Sequence, residues 1–168
     1  MGLAIGILLL TFAVAVFAYL RKGRPYFVWF RMRIDRLVAS NLSISPSWTE
    51  IIPRSPLRAL KIHQRVRFIC EGFDYRIDQN GLRTGSPESI TFADSTVATP
   101  EVEIEDQYGI CYRLRLVDRI GTGVEFMRRP NTTGQFYLPR DRVYRKIRIK
   151  SDKPFNCSQV VWHCYSMK

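Results

Sequence analysis

Glu101-Val102-Glu103-Ile104-Glu105-Asp106-Gln107-Tyr108-Gly109-Ile110-Cys111-Tyr112-Arg113-Leu114-Arg115-Leu116 alternates polar and apolar side chains in two runs joined by a short turn. A period of two is strand periodicity, because successive side chains of an extended chain point to opposite faces. A three-residue loop, Gln107-Tyr108-Gly109, puts Gly109 at the left-handed position of a bulged hairpin, where a residue without Cβ is favoured. That register sets Glu103 against Arg113 and Glu101 against Arg115 on the wet face. It also sets Ile104 against Tyr112 and Val102 against Leu114 on the dry face. A slip of one residue breaks both sets together, so the hairpin predicts an antiparallel sheet with one buried face.

The flanking sequence keeps this period. Arg65-Val66-Arg67-Phe68-Ile69-Cys70 alternates with Val66, Phe68 and Cys70 on one side. Residues 75–79 run into Asn80-Gly81, a strong hairpin turn, with 82–84 as the return strand. Further strands are expected over 123–127, 135–138, 143–150 and 159–165. Roughly eight short antiparallel strands with Gly, Pro and Asn turns predict an all-β soluble domain over 61–168, a β-sandwich or small barrel.

Upstream the composition changes. Residues 2–20 are uncharged and mostly apolar, and Arg21-Lys22-Gly23-Arg24 follows at once. At about 1.5 Å per residue a helix of this length spans one hydrocarbon core, so 1–22 reads as an N-terminal transmembrane α-helix. A secretory leader would carry a basic n-region, an organellar presequence would carry arginines within its helix, and myristoylation would favour Ser or Thr where Gly6 stands. Basic residues dominate 21–36, which predicts a single-pass protein with a short N-terminus outside and the C-terminal domain on the cytoplasmic, matrix or stromal side. Three glycosylation-like triplets, at Asn41, Asn131 and Asn156, point the other way, and the steep charge step outweighs them.

Small residues Ala4, Thr11, Ala15 and Ala18 fall along one helical face, with Gly2 and Gly6 adding a G-x-x-x-G pair. In lipid, close packing across small residues joins helices, so this stripe is the expected docking face for a partner helix. After Pro25, residues 23–39 read as a juxtamembrane amphipathic helix, with Tyr26, Phe27, Phe30, Ile34, Leu37 and Val38 on one arc. Aromatics mixed with arginines beside a span mark a headgroup-depth element, so Arg21, Lys22, Arg24, Tyr26, Phe27, Trp29, Phe30, Arg31 and Arg33 form the expected membrane interface with anionic lipid headgroups. Residues 40–60, interrupted by Pro46, Pro53 and Pro56, read as an extended connector.

The chain carries a formal net charge of +11, with basic segments at 1–60 and 128–150 and a slightly acidic stretch at 61–127. On the strand from Val143, alternation puts Tyr144, Lys146, Arg148 and Lys150 on one face, a basic contact surface. The membrane tether ranks protein or lipid as its partner ahead of a solvated face, with nucleic acid last. Cys70, Cys111, Cys157 and Cys164 include no C-x-x-C, so no metal site is expected. On the inside face the thiols stay reduced and buried, whereas a lumenal domain would make Cys157 and Cys164 disulfide candidates.

His63 and His163 lie far apart in the chain, and neither a phosphate loop nor a G-x-S-x-G elbow is present. No catalytic residue and no cofactor are therefore expected. Asp118-Arg119-Ile120-Gly121-Thr122-Gly123 loosely resembles the D-x-S-x-x-G signature of PilZ domains, β-barrels that bind cyclic di-GMP. Asp118 and Gly123 match, Ile120 stands where that signature has serine, and the preceding paired-arginine motif is not present in that form. The resemblance covers six residues and implies a nucleotide-sensing alternative. The leading expectation is a non-catalytic accessory subunit of a multi-subunit membrane complex, respiratory or photosynthetic, that binds other subunits. The alternative is a membrane-tethered binding or sensor module for anionic lipid, nucleotide or RNA.

Overall fold

The computed structural model describes residues 11–12, 33–60, 63–74, 88–128 and 138–165. The chain divides into two compact units, Met1–Met32 and Arg33–Lys168, and all the strands among the described residues belong to the second. They are β1 (Arg33–Ile44), β2 (Thr49–Ile51), β3 (Leu57–Arg58), β4 (His63–Cys70), β5 (Ile90–Thr91), β6 (Val97–Ala98), β7 (Pro100–Asp106), β8 (Cys111–Ile120), β9 (Gly123–Met127), β10 (Val143–Ser151) and β11 (Phe155–Tyr165).

One antiparallel sheet runs in the order β1-β11-β4-β9-β8-β7-β10-β2, with β3 also on β10, while β5 and β6 form a separate pair. The all-β expectation holds, and the sheet curls into a nearly closed barrel. Strand β8 makes the turn between its halves: Cys111 to Leu114 pair with β7, and Arg115 to Ile120 pair with β9. A bulge between Leu116 and Asp118 sits in the second half, where an extra residue raises local twist and bends the strand. At the seam the Ser151 N–H donates to the Ser45 carbonyl at 3.0 Å, bringing the end of β10 against the end of β1.

The barrel interior is filled by alternate residues from every long strand. Val66 and Phe68 of β4, Val102 and Ile104 of β7, Ile147 and Ile149 of β10 and Val160 of β11 have no solvent exposure. Phe68 and Phe126 meet edge to face with centroids 5.6 Å apart. The hairpin takes the expected register, with Val102 opposite Leu114, Glu103 opposite Arg113 and Ile104 opposite Tyr112. Gly109 has φ +78° with open space where a Cβ would stand, so its backbone conformation alone selects glycine.

Two boundaries differ from the sequence reading. Residues 33–39, expected at the end of an amphipathic helix, belong to strand β1, which pairs with β11 from Arg33↔Tyr165 to Ile44↔Phe155. Ile34, Leu37 and Val38 fit a helical arc, but a bulge between Leu37 and Ala39 turns Val38 inward and leaves Leu37 59% exposed. Pairing with a distant strand overrides the local period. The stretch 40–60 contributes the end of β1 and all of β2 and β3, with Ile44, Ile51 and Leu57 in the core.

The expected hairpin over 75–84 lies outside the described residues, as do 23–32 and most of 135–138. Within the expected membrane span only Thr11 and Phe12 are described, and both are helical. Among the described residues no helix is long and apolar enough to cross a membrane.

Candidate functional site: two charged networks on the barrel wall

The strand expected to present a basic face, β10, is interrupted by a bulge. A register shift between Tyr144 and Lys146 places an extra residue, Arg145, in β10 opposite β7. Parity reverses across such a bulge, so Tyr144 points inward while Lys146, Arg148 and Lys150 point outward. Tyr144 is fully buried, its ring edge-on to Tyr112 at 6.0 Å, and its hydroxyl donates to the Pro139 carbonyl at 2.8 Å. Burial, with Tyr112 and Asp106 nearby, holds this phenol well above its ordinary pKa. Tyr144 therefore belongs to the core and not to a contact surface.

The three remaining cations are paired with acids, Lys146 from both neighbouring strands and Arg148 and Lys150 from β7. Lys146 lies 3.2 Å from Glu50 of β2 and 3.7 Å from Glu105 of β7. Arg148 meets Glu103 at 2.7 Å, and Lys150 meets Glu101 at 3.2 Å. Arg113 reaches Glu101 diagonally at 3.5 Å, while Arg115 turns to Glu88 at 3.7 Å. The expected Glu101–Arg115 pair is thus replaced, because β8 has already left β7 for β9 at that position. Trp48 lies beneath both Lys150 and Arg148, 4.9 and 5.5 Å from the ring centroid. The result is a ladder in which cations and carboxylates are matched. The Glu50 carboxylate beside Lys146 raises the ammonium pKa against the cost of burial.

A second network crosses the outer wall at the level where β1, β11, β4, β9 and β8 lie side by side. Asp35 Oδ1 is 2.5 Å from His163 Nδ1, and His163 stands opposite Arg65 in the register. The Arg65 guanidinium donates to Glu125 at 2.5 Å and to Asp118 at 3.1 Å. It also lies 5.0 Å above the Tyr165 ring, on which His63 stacks at 5.1 Å. His163 and Glu125 are 4% and 5% exposed, low for polar side chains on an outward face. Burial, then the positive Arg65, depresses the His63 pKa below its ordinary value. For Arg65 burial works against the charge, but the hydrogen bond it donates to Glu125, with Tyr165 and Asp118 beside it, raises its pKa overall.

The Asp118–Gly123 turn feeds this network. Gly121 sits at φ +59°, Arg67 donates to the Ile120 carbonyl at 2.8 Å, and Asp118 is held by Arg65. A Cβ at Gly123 would come within 2.5 Å of Arg67 Nε, so a larger residue here would push that flexible side chain aside. The arginines around this turn are engaged: Arg65 by two carboxylates, Arg67 by the Ile120 carbonyl and Arg119 by the Ser89 carbonyl.

Sequence reasoning missed a third polar centre. Asp106, 1% exposed, accepts from the Tyr108 and Ile110 N–H groups at 2.9 and 3.0 Å, the Tyr112 hydroxyl at 3.1 Å and Arg142 at 3.4 Å. Burial would raise its pKa, but the Ile110 and Tyr108 amides and the other donors outweigh that and hold it below the usual carboxylate range. The signal was present: an Asp immediately before a three-residue turn is placed to cap that turn's amides. The Asp35–His163–Arg65–Glu125–Asp118 row gave no such signal, since its members come from five strands.

The remaining expected site residues divide simply. Gly2, Ala4, Gly6, Ala15, Ala18, Arg21, Lys22, Arg24, Tyr26, Phe27, Trp29, Phe30 and Arg31 lie outside the described residues. Thr11 is helical, and Arg33 opens β1. Among the described residues, no cluster of three or more metal-ligating side chains is found. No family model, curated protein or solved structure matches this chain.

Proposed function

We propose that this chain is a non-catalytic accessory subunit of a multi-subunit membrane complex. Residues 2–20 dock it among membrane helices, and the barrel braces an extramembrane subunit. The observation that carries this reading is the edge strand β1. It ends the sheet path, and in the sequence it is the first strand after the apolar segment. It also bears Leu37 at 59% exposure, an apolar side chain in a strand edge suited to pairing with another polypeptide. Arg36 pins the following 52–56 stretch to this strand through the Pro56 and Ser55 carbonyls, at 3.0 and 2.7 Å, and that stretch bears Ile52 at 72% exposure. The matched ladders on the other walls favour a rigid brace over a surface that recruits polyanions.

Extraction of the full-length chain from its native membranes in mild detergent tests the proposal. Stoichiometric co-purifying subunits are expected, and Leu37→Asp should release them while leaving the circular dichroism spectrum unchanged. A monodisperse lone monomer would overturn the reading. Saturable binding of anionic vesicles, RNA oligomers or a cyclic dinucleotide by that monomer would favour the tethered sensor instead.

A further inference from the structure

Two of the cysteines, Cys70 at the end of β4 and Cys157 near the start of β11, are brought face to face across the barrel wall. They are partners in the antiparallel register, and their Sγ atoms are 3.5 Å apart in the core. The backbone bonds around them define the type of pair. The Glu71 N–H donates to the Asn156 carbonyl at 2.9 Å, linking the residue after Cys70 to the residue before Cys157. The Cys70 N–H points the other way, to the Thr122 carbonyl at 2.9 Å. This is the non-hydrogen-bonded arrangement, in which Cα atoms approach to about 4.5 Å and side chains are closest. That separation falls within the roughly 4.4–6.8 Å range spanned by disulfides.

The register shifts immediately after Cys157, and the displaced Ser158 restores a contact through its hydroxyl, 3.3 Å from the Ile69 carbonyl. A bulge at this point gives the strand the local freedom that closing a sulfur–sulfur bond requires. The neighbours Glu71 and Asn156 line an open recess of about 290 Å³ together with Phe92 and Phe155. The residues next to the pair in the chain thus line a solvent-facing hollow, while both cysteines are buried. By contrast, Cys164 directs its thiol to the Arg58 carbonyl at 3.6 Å, and Cys111 is exposed beside Arg148.

We propose that Cys70 and Cys157 are a redox pair that closes to a cross-strand disulfide with a low-molecular-weight disulfide as oxidant. The first thiolate attacks the small disulfide, forming a mixed disulfide and releasing one small thiolate. The second cysteine attacks the protein sulfur of that adduct, closing the Cys70–Cys157 bond and expelling the second small thiol. Two protein thiols and one small disulfide become one protein disulfide and two small thiols. The protein sulfurs are oxidised, the small disulfide is reduced, and the two thiol protons end on the small thiols. Closure joins β4 to β11 across a long loop, constraining the unfolded chain most strongly where loops are long. The proposal is independent of the assembly that the protein joins.

Equilibration of the full-length chain with oxidised glutathione, both in the native state and during refolding from urea, tests this. Denaturing alkylation and peptide mass mapping then identify the bond. The expected result is one intramolecular bridge linking the Cys70 and Cys157 peptides, with Cys111 and Cys164 alkylated. Its formation should raise Tm by on the order of 10 °C, reversed by dithiothreitol. Four alkylated cysteines under both conditions, or a bridge mapped to any other pair, would overturn the proposal. Cys157→Ala should abolish the bridge and the Tm response together. Should that variant fail to fold, the map of the unsubstituted chain decides alone.

Discussion

Replacing Glu125 by alanine separates two carboxylates that serve one arginine. Arg65 donates to Glu125 at 2.5 Å and to Asp118 at 3.1 Å, but the Glu125 side chain is 7% exposed and that of Asp118 is 43% exposed. Removing one partner of a fully buried pair costs about 3–5 kcal/mol, because the remaining charge is left desolvated. Arg65 is itself 19% exposed and keeps Asp118, so the loss for Glu125→Ala should fall to about 2–3 kcal/mol. At roughly 3–4 °C per kcal/mol for a unit of this size, the expected fall in Tm is about 8 °C. Asp118→Ala, which removes an exposed partner, should cost about 0.5 kcal/mol, or about 2 °C. Thermal unfolding of the full-length chain followed by circular dichroism measures both. Half-molar salt should diminish the Asp118 effect and spare most of the Glu125 effect. The double variant Arg65→Met/Glu125→Leu should recover much of the loss, since an apolar pair needs no desolvated charge. Equal Tm losses for the two alanine variants would refute the reasoning, as would a double variant no better than Glu125→Ala.

Ile104→Ala, at a position with no solvent exposure beneath the hairpin, should cost about 3 kcal/mol in urea unfolding, while Tyr108→Ala at the exposed loop tip should be close to neutral. Gly109→Ala meets no steric obstacle and should still cost about 1 kcal/mol, because its φ of +78° disfavours any Cβ. His63 has a lowered pKa in the folded state, so unfolding takes up a proton between that value and its ordinary pKa near ~6.5. Its contribution is complete above that ordinary value and is lost as pH falls through the lowered one. Tm should therefore drop between pH ~7.5 and pH ~5.5, and His63→Gln should flatten that slope. Asp106, held below the usual carboxylate range, keeps its contribution across this window and loses it only in stronger acid. A cycle combining Glu103→Ala with Arg148→Ala should give a coupling of about 0.5–1 kcal/mol that shrinks with salt, as measured by denaturant titration.

Much of the barrel was written locally. The 101–116 hairpin announced its own register, since charges and apolar groups matched in only one alignment, and the structure keeps Val102↔Leu114 and Ile104↔Tyr112 as expected. The turn at Gly109 was legible because one backbone conformation demands one residue type. Strand β1 was not legible: Ile34, Leu37 and Val38 satisfy a helical spacing and a bulged strand spacing equally. Only the partner strand β11, more than a hundred residues away, selects between them. Tyr144 was misplaced for a related reason. Strict alternation assigns faces correctly until a bulge intervenes, and the bulge at Arg145 arises from pairing with β7 and not from β10's own composition.

The sequence by itself determined the secondary-structure class of the β unit, the position of its central hairpin and the polarity of each hairpin face. These depend on contacts between near neighbours, which a period of two records directly. Only the tertiary structure decided that the sheet curls towards closure and that the lysines and arginine of β10 are matched by acids from two other strands. It also decided that His163 meets Asp35 and that Cys157 faces Cys70. Each of those pairings joins residues separated by long stretches of chain, and their spacing in sequence carries no trace of their distance in space.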